Sequence, residues 1–98
     1  MLFRSISASD ALSLGLVNRV VPDNTVLQET EALAARLAAA PRKALALIKR
    51  GLNQGHELPL ERVLEMEAGY QTIASRDPDF AEGVAAFREK RPPRFNRA

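Results

Sequence analysis

Arg88, Lys90, Arg91, Arg94 and Arg97 crowd the stretch from residue 88 to 97, where Glu89 is the one acid. Cations this close together are suited to binding anions, whether the phosphates of a small molecule or those of a nucleic acid. The rest of the chain does not extend this character. Between Glu57 and Glu82, seven acids stand against two arginines, and the formal net charge of the 98-residue chain is only +2. A second basic group, Arg42-Lys43 with Lys49-Arg50, is small. Nucleic-acid binders show a broad basic face with stacking aromatics or a known motif. Here the aromatics are Phe3, Tyr70, Phe80, Phe87 and Phe95, mostly on apolar stripes. Nucleic acid is therefore not an expected partner. Pro92-Pro93 lacks the spacing of a proline-rich docking ligand.

Acid–base and metal chemistry have weaker candidates. His56 is the only histidine and sits in a polar stretch, Gln54-Gly55-His56-Glu57, read as a loop. A nucleophilic relay needs a base held against a nucleophile and an orienting acid. Nothing local specifies those partners, so His56 reads as a solvated loop side chain. One histidine and no cysteine do not make up the ligands of a zinc site, and no metal is expected. Glu61 and Glu65 stand one helical turn apart on a polar side. Paired carboxylates do acid–base work only where burial separates their pKa values. Glu67 lies nearer the Leu60–Leu64 side and is expected to pair with an arginine of a neighbouring helix. The five glycines are scattered, with no phosphate-loop spacing.

The elements that must position these residues read as helices. Ser7 followed by Asp10 is a capping box for a helix of about two turns, with Gly15 placed to end it. Leu16 to Val21 is β-branched and bounded by Gly15 and Pro22, an extended segment with no partner strand in the chain. Asp23-Asn24 offers caps for a long helix in which Val26, Thr30, Leu33, Leu37 and Ala40 share one face. Pro41 suits the first turn of the next helix, whose apolar side is Ala44, Leu45, Leu47, Ile48 and Leu52. Pro59 opens another, with Leu60, Val63, Leu64, Tyr70, Ile73 and Ala74 at helical spacing. Asp79 with Glu82 is a further capping box. Phe80, Val84, Phe87 and Arg91 then recur as an inward stripe, and Pro92-Pro93 ends the helix. The fold class is all-α: a small bundle of four to five helices with at most one short extended segment, 16–21.

The bulk numbers agree with one soluble domain. The chain is 46% hydrophobic and 27% charged. No run approaches the roughly 20 apolar residues of a membrane span, so no membrane partner is expected. MLFRS is too short for a signal peptide. The absence of cysteine fits a reducing cytoplasm.

Three stretches together carry a resemblance. ISASDALSLGLVNRVVP at 6–22, PRKALALIKRGLN at 41–53 and EGVAAFREKRPPRF at 82–95 resemble the C-terminal part of the crotonase superfamily, the enoyl-CoA hydratases and isomerases. The similarity runs over nearly the whole chain. The set LIKRGLN, EAGYQ at 67–71 and AFREKRPPRF is also similar to isomerases that act on ring-derived acyl-CoAs in phenylacetate breakdown. The resemblance implies a parent enzyme whose N-terminal core supplies an oxyanion hole of backbone N–H groups and the general acid/base. It places this chain after that core, so no catalytic residue is carried over. Residues 1–22 would be a connector with a short helix and the extended segment. Residues 23–98 would be the C-terminal helical domain, covering the acyl-CoA site and building the contacts of a trimer or hexamer. No cofactor is implied; acyl-CoA is the parent's substrate. Lys90 matches the family lysine that contacts the phosphate end of CoA, a task suited to a compact cation on a flexible stem. Arg91 and Arg94 would add to the field. Gly69 occupies the place of an aromatic that commonly holds the adenine, with Tyr70 beside it. The competing reading is a stand-alone helical interaction module, since uncovered apolar faces mark partner sites.

Overall fold

Ser7 begins the first helix as its composition predicts. Its Oγ accepts from the Asp10 N–H at 3.1 Å, and helix α1 (Ala8–Ser13) follows. Gly15 takes φ +75°, the left-handed conformation that a side chain disfavours. The computed structural model describes residues 4–97. Phe3, and the outermost ends of the 1–22 and 23–98 segments, lie outside them. Residues 16–21 form an irregular connector with bends at Leu16 and Asn18, and no strand occurs among the described residues. The other helices are α2 (Val26–Ala39), α3 (Arg42–Gly55), α4 (Leu60–Ser75) and α5 (Pro78–Glu89). The all-α expectation therefore holds.

The helix starts differ in detail from the sequence signals. Asp23 and Asn24 do not cap α2; they lie in a 3₁₀ turn (Asp23–Thr25), and Thr25 Oγ1 donates to the Pro22 carbonyl at 2.8 Å. Pro41 and Pro59 stand just before α3 and α4, where a missing N–H costs nothing. Gln54 and Gly55 belong to the last turn of α3, so the loop at His56 is shorter than the glycine suggested. The cap of α5 is Asp77, whose carboxylate accepts from the Asp79 N–H at 3.0 Å, with Pro78 in the first turn. Asp79 and Glu82 are thereby free for other bonds.

The chain divides into two compact units, the first ending at Ala34 and the second running from Ala35. In the first, Arg19 Nη2 meets Glu29 Oε2 at 2.8 Å, an exposed pair. In the second, α3 packs on α4 and α4 on α5. The Tyr70 ring of α4 lies against Gly51 of α3, and its hydroxyl donates to Gln54 Oε1 at 3.2 Å. Lys43 at the start of α3 pairs at 2.9 Å with Asp77, the cap of α5.

Little of this is a closed core. Ala86 is the one fully buried hydrophobic residue among those described. Leu52 of α3, Leu60 of α4 and Phe87 of α5 are 73%, 71% and 86% exposed. The stripe of Phe80, Val84 and Phe87, expected to face inward, is largely uncovered. Helical periodicity reports that a face is apolar, not what covers it. Hydrophobic burial, normally the dominant favourable term, is small here.

One stability test follows from the α5 geometry. A Cβ built on Gly83 would lie 3.6 Å from the Phe95 ring, an ordinary contact. Gly83→Ala is expected to raise stability by about 0.5–1 kcal/mol through helix propensity and a less flexible unfolded chain. A urea unfolding midpoint measures it.

Candidate functional site

The basic cluster lies where α5 ends and the chain turns back on itself. α5 closes through a Schellman arrangement: Lys90 N–H reaches Phe87 O at 3.3 Å, and Arg91 N–H reaches Ala86 O at 3.0 Å. The residue in the left-handed position is Lys90, at φ 53° and ψ 41°. Glycine is the usual occupant, because a Cβ there is strained. Lys90 is exposed and forms no ion pair among the described residues.

Beyond Lys90 the chain runs back along α5 as a strap. Arg91 Nη1 and Nη2 donate to Glu82 Oε1 and Oε2 at 2.6 and 3.0 Å, a bidentate pair. Arg91 Nε donates to Glu89 Oε2 at 2.6 Å. Glu82 Oε1 also accepts from the Arg94 backbone N–H at 2.7 Å. Phe95 then lies over Gly83, and the Asn96 N–H donates to Asp79 Oδ1 at 2.8 Å. The Asn96 side chain ends the strap. Its Nδ2 donates to the carbonyls of Ala38 at 3.2 Å and Ala40 at 2.8 Å. Its Oδ1 accepts from Arg42 N and Nε at 3.3 and 3.1 Å. One side chain thus serves orphan carbonyls at the end of α2 and an orphan N–H at the start of α3. Asn96 sits at φ 60°, which asparagine tolerates better than most residues.

The electrostatics follow this geometry. Hydrogen bonds from the Arg91 guanidinium, then from the Arg94 N–H, hold the Glu82 carboxyl down to about 2 from its ordinary 4.5. Glu82 and Glu89 push Arg91 up. Lys43, then the Asp79 N–H, holds Asp77 below its usual value. A carboxylate with a depressed folded pKa stabilises the fold above its unfolded pKa and loses that contribution as pH falls through the folded value. Glu82's contribution is therefore complete above about pH 4.5 and lost on acidification towards pH 2. Glu82→Gln is expected to flatten the stability profile across that window, as read by thermal unfolding at stepped pH.

The four residues singled out from the sequence fall into two groups. Arg91 and Arg94 line one cleft with Pro78, Asp79, Glu82 and Arg97. Tyr70 lines a different groove, between α3 and α4, together with Glu67 and His56. Lys90 is in neither. Arg91 reaches Glu82 through the chain reversal, not along the α5 stripe, because the helix stops first. Glu67 makes no ion pair among the described residues, so its expected arginine partner is not found. Glu65 pairs with Arg62 of its own helix at 3.0 Å, an exposed contact. His56 is 71% exposed, its Nδ1 3.4 Å from Leu52 O. Sequence reasoning missed Asn96 altogether, and assigned Glu82 to a cap. The available signal was an asparagine three residues after Pro92-Pro93, a residue type at home with positive φ.

Comparison with known proteins gives this geometry a setting. The family model described as enoyl-CoA hydratase/isomerase matches residues 1–98. The chain is 38% identical over 95 residues to the 1,2-epoxyphenylacetyl-CoA isomerase of Escherichia coli (strain K12), covering 97% of this chain and 36% of that protein. It is 33% identical over 90 residues to the crotonyl-CoA hydratase of Syntrophomonas wolfei, covering 92% and 35%. The crystal structure of an enoyl-CoA hydratase from Polaromonas sp. superposes with a TM-score of 0.86 at 34% identity, over 93% of this chain and 35% of that one. The chain thus spans little more than a third of the length of these relatives.

Proposed function

Because the chain belongs to the enoyl-CoA hydratase/isomerase family, we propose that it is the C-terminal helical part of such an enzyme, serving oligomerisation and coverage of the acyl-CoA site instead of catalysis. Residues 1–22 act as the connector and 23–98 as the helical domain. One observation carries the reading: helices with a relative's geometry leave their own apolar faces uncovered, as Leu52, Leu60 and Phe87 do. Such faces suit burial against the rest of an enzyme and against other subunits in a trimer or hexamer.

Lys90 is the residue that meets the phosphate end of CoA. A lysine held in a conformation that favours glycine is a cost to the fold, and such strain suits a functional position. Arg94 adds to the positive field, Arg91 belongs to the same cluster, and Tyr70 lies beside the place for the adenine. The acyl group is best sought among ring-derived acids, given the similarity to the phenylacetate-type isomerase.

The 98-residue chain by itself is expected to hydrate crotonyl-CoA no faster than background; hydration above background would sink the reading. The enzyme that carries the segment tests Lys90. Lys90→Gly is expected to raise thermal stability by about 0.5–1 kcal/mol by relieving the left-handed conformation. The same change should raise the KM for acyl-CoA about tenfold, as loss of one charge-assisted phosphate contact implies. A gain in stability without loss of affinity would leave Lys90 no binding role.

A further inference from the structure

We infer that Glu82 and Arg91 are positioning residues that aim Lys90, with Arg91 acting as a strut and not as a ligand to the anion. The inference rests on the CoA-phosphate reading of Lys90 and deepens it. Arg91 has already committed its Nε–H and one N–H on each Nη to carboxylates. Both its Nη groups donate to Glu82, at 2.6 and 3.0 Å, and its Nε donates to Glu89 at 2.6 Å. Its charge already faces two carboxylates. Lys90 immediately precedes it, and the lysine backbone is fixed from both sides. The helix end holds it through Phe87 O, and the Arg91–Glu82 fork holds the residue that follows. Glu82 also takes the Arg94 N–H, so one carboxylate fixes the chain on the far side of Pro92-Pro93 as well. A flexible four-carbon side chain gains from a rigid base, since fewer arrangements are lost when its ammonium meets an anion.

The sign of one substitution separates strut from ligand. If Arg91 bound the phosphate, removing the Glu82 charge would free it and tighten acyl-CoA binding. For a strut, Glu82→Gln loosens the base of Lys90, and affinity falls. The test uses the full-length enzyme and two thioesters of one acyl group. One is the CoA thioester and the other the N-acetylcysteamine thioester, which has no phosphate. We expect Glu82→Gln to raise the KM for acyl-CoA about three- to tenfold, the lower range of coupling within one network. Its kinetics on the N-acetylcysteamine thioester should not change. Arg91→Lys keeps the charge but not the fork, and should behave like Glu82→Gln. Lys90→Ala combined with Glu82→Gln should be no worse than Lys90→Ala alone. A fall in KM for Glu82→Gln, additive losses, rescue by Arg91→Lys, or equal damage on both thioesters would overturn the inference. If Lys90→Ala leaves the KM for acyl-CoA unchanged, the phosphate reading of Lys90 fails and takes this inference with it. If Lys90→Ala acts and Glu82→Gln does not, only the inference fails. Hydrogen exchange at the Arg94 and Asn96 amides reports whether each variant still folds its strap, and Glu82→Asp provides a milder change should Glu82→Gln lose it.

Discussion

Asn96→Ala should lower the unfolding free energy of this chain by about 2–4 kcal/mol, a large share of what a domain of this size commonly has. The side chain makes four hydrogen bonds, two donated to the carbonyls of Ala38 and Ala40 and two accepted from Arg42. Each is worth about 1 kcal/mol net, less where water replaces it at an exposed partner. Alanine at φ 60° adds about another 1 kcal/mol of backbone strain. Asn96→Gly separates the two causes, because glycine accepts the conformation and supplies none of the bonds. Urea unfolding of the pair should rank wild type above Asn96→Gly above Asn96→Ala. Equal midpoints for all three would mean the clamp is solvated and carries no net stability.

The second large effect depends on what surrounds the chain. Phe87→Ala should change the stability of this chain by less than about 0.5 kcal/mol, because the ring is 86% exposed and loses little contact. In an assembled enzyme that buries the same ring, the cost should approach the 3–5 kcal/mol of a buried phenylalanine truncation. That would weaken subunit association by more than about a hundredfold. Chemical denaturation of the chain and sedimentation of the enzyme measure the two sides. A large loss in the chain itself would show that Phe87 is already packed there. No loss in the enzyme would show that the α5 face is not a contact.

The sequence was most legible where a short-range rule applies. Ser7 and Asp10 sit three residues apart, and their bond forms. Pro41 and Pro59 stand at helix starts, displaced by one residue from the expected position in the case of Pro41. Phe80, Val84 and Phe87 share a helical face, but whether that face is buried depends on atoms that spacing cannot report. The candidate site was read as composition and not as connection. Lys90, Arg91 and Arg94 were recognisable as a cationic group. The strained lysine depends on how α5 ends, and the split between a paired arginine and an arginine held by its backbone depends on Glu82, nine residues before Arg91 and across that helix end. Asp79 and Glu82 do carry caps of a kind, but for the returning strap and not for α5. Tyr70 was placed on the right helix. Its hydroxyl goes to Gln54, a residue that read as loop until the last turn of α3 extended over it.

The Asn96 clamp has a consequence for how these helices come apart. Its partners lie 54 to 58 residues earlier in the chain, so its bonds close a ring around α3, α4 and α5. A helical hairpin usually frays from one end, each turn lost with small effect on the next. Helices inside a closed ring have no free end to fray from while the clasp holds. Opening should therefore begin at the clasp and then spread, and protection of the amides in α3 and α4 should drop together once Asn96 lets go. With little apolar burial to enforce all-or-none behaviour, the bonds at Asn96 are expected to add to the cooperativity of the three helices, beside the Tyr70–Gln54 and Lys43–Asp77 contacts.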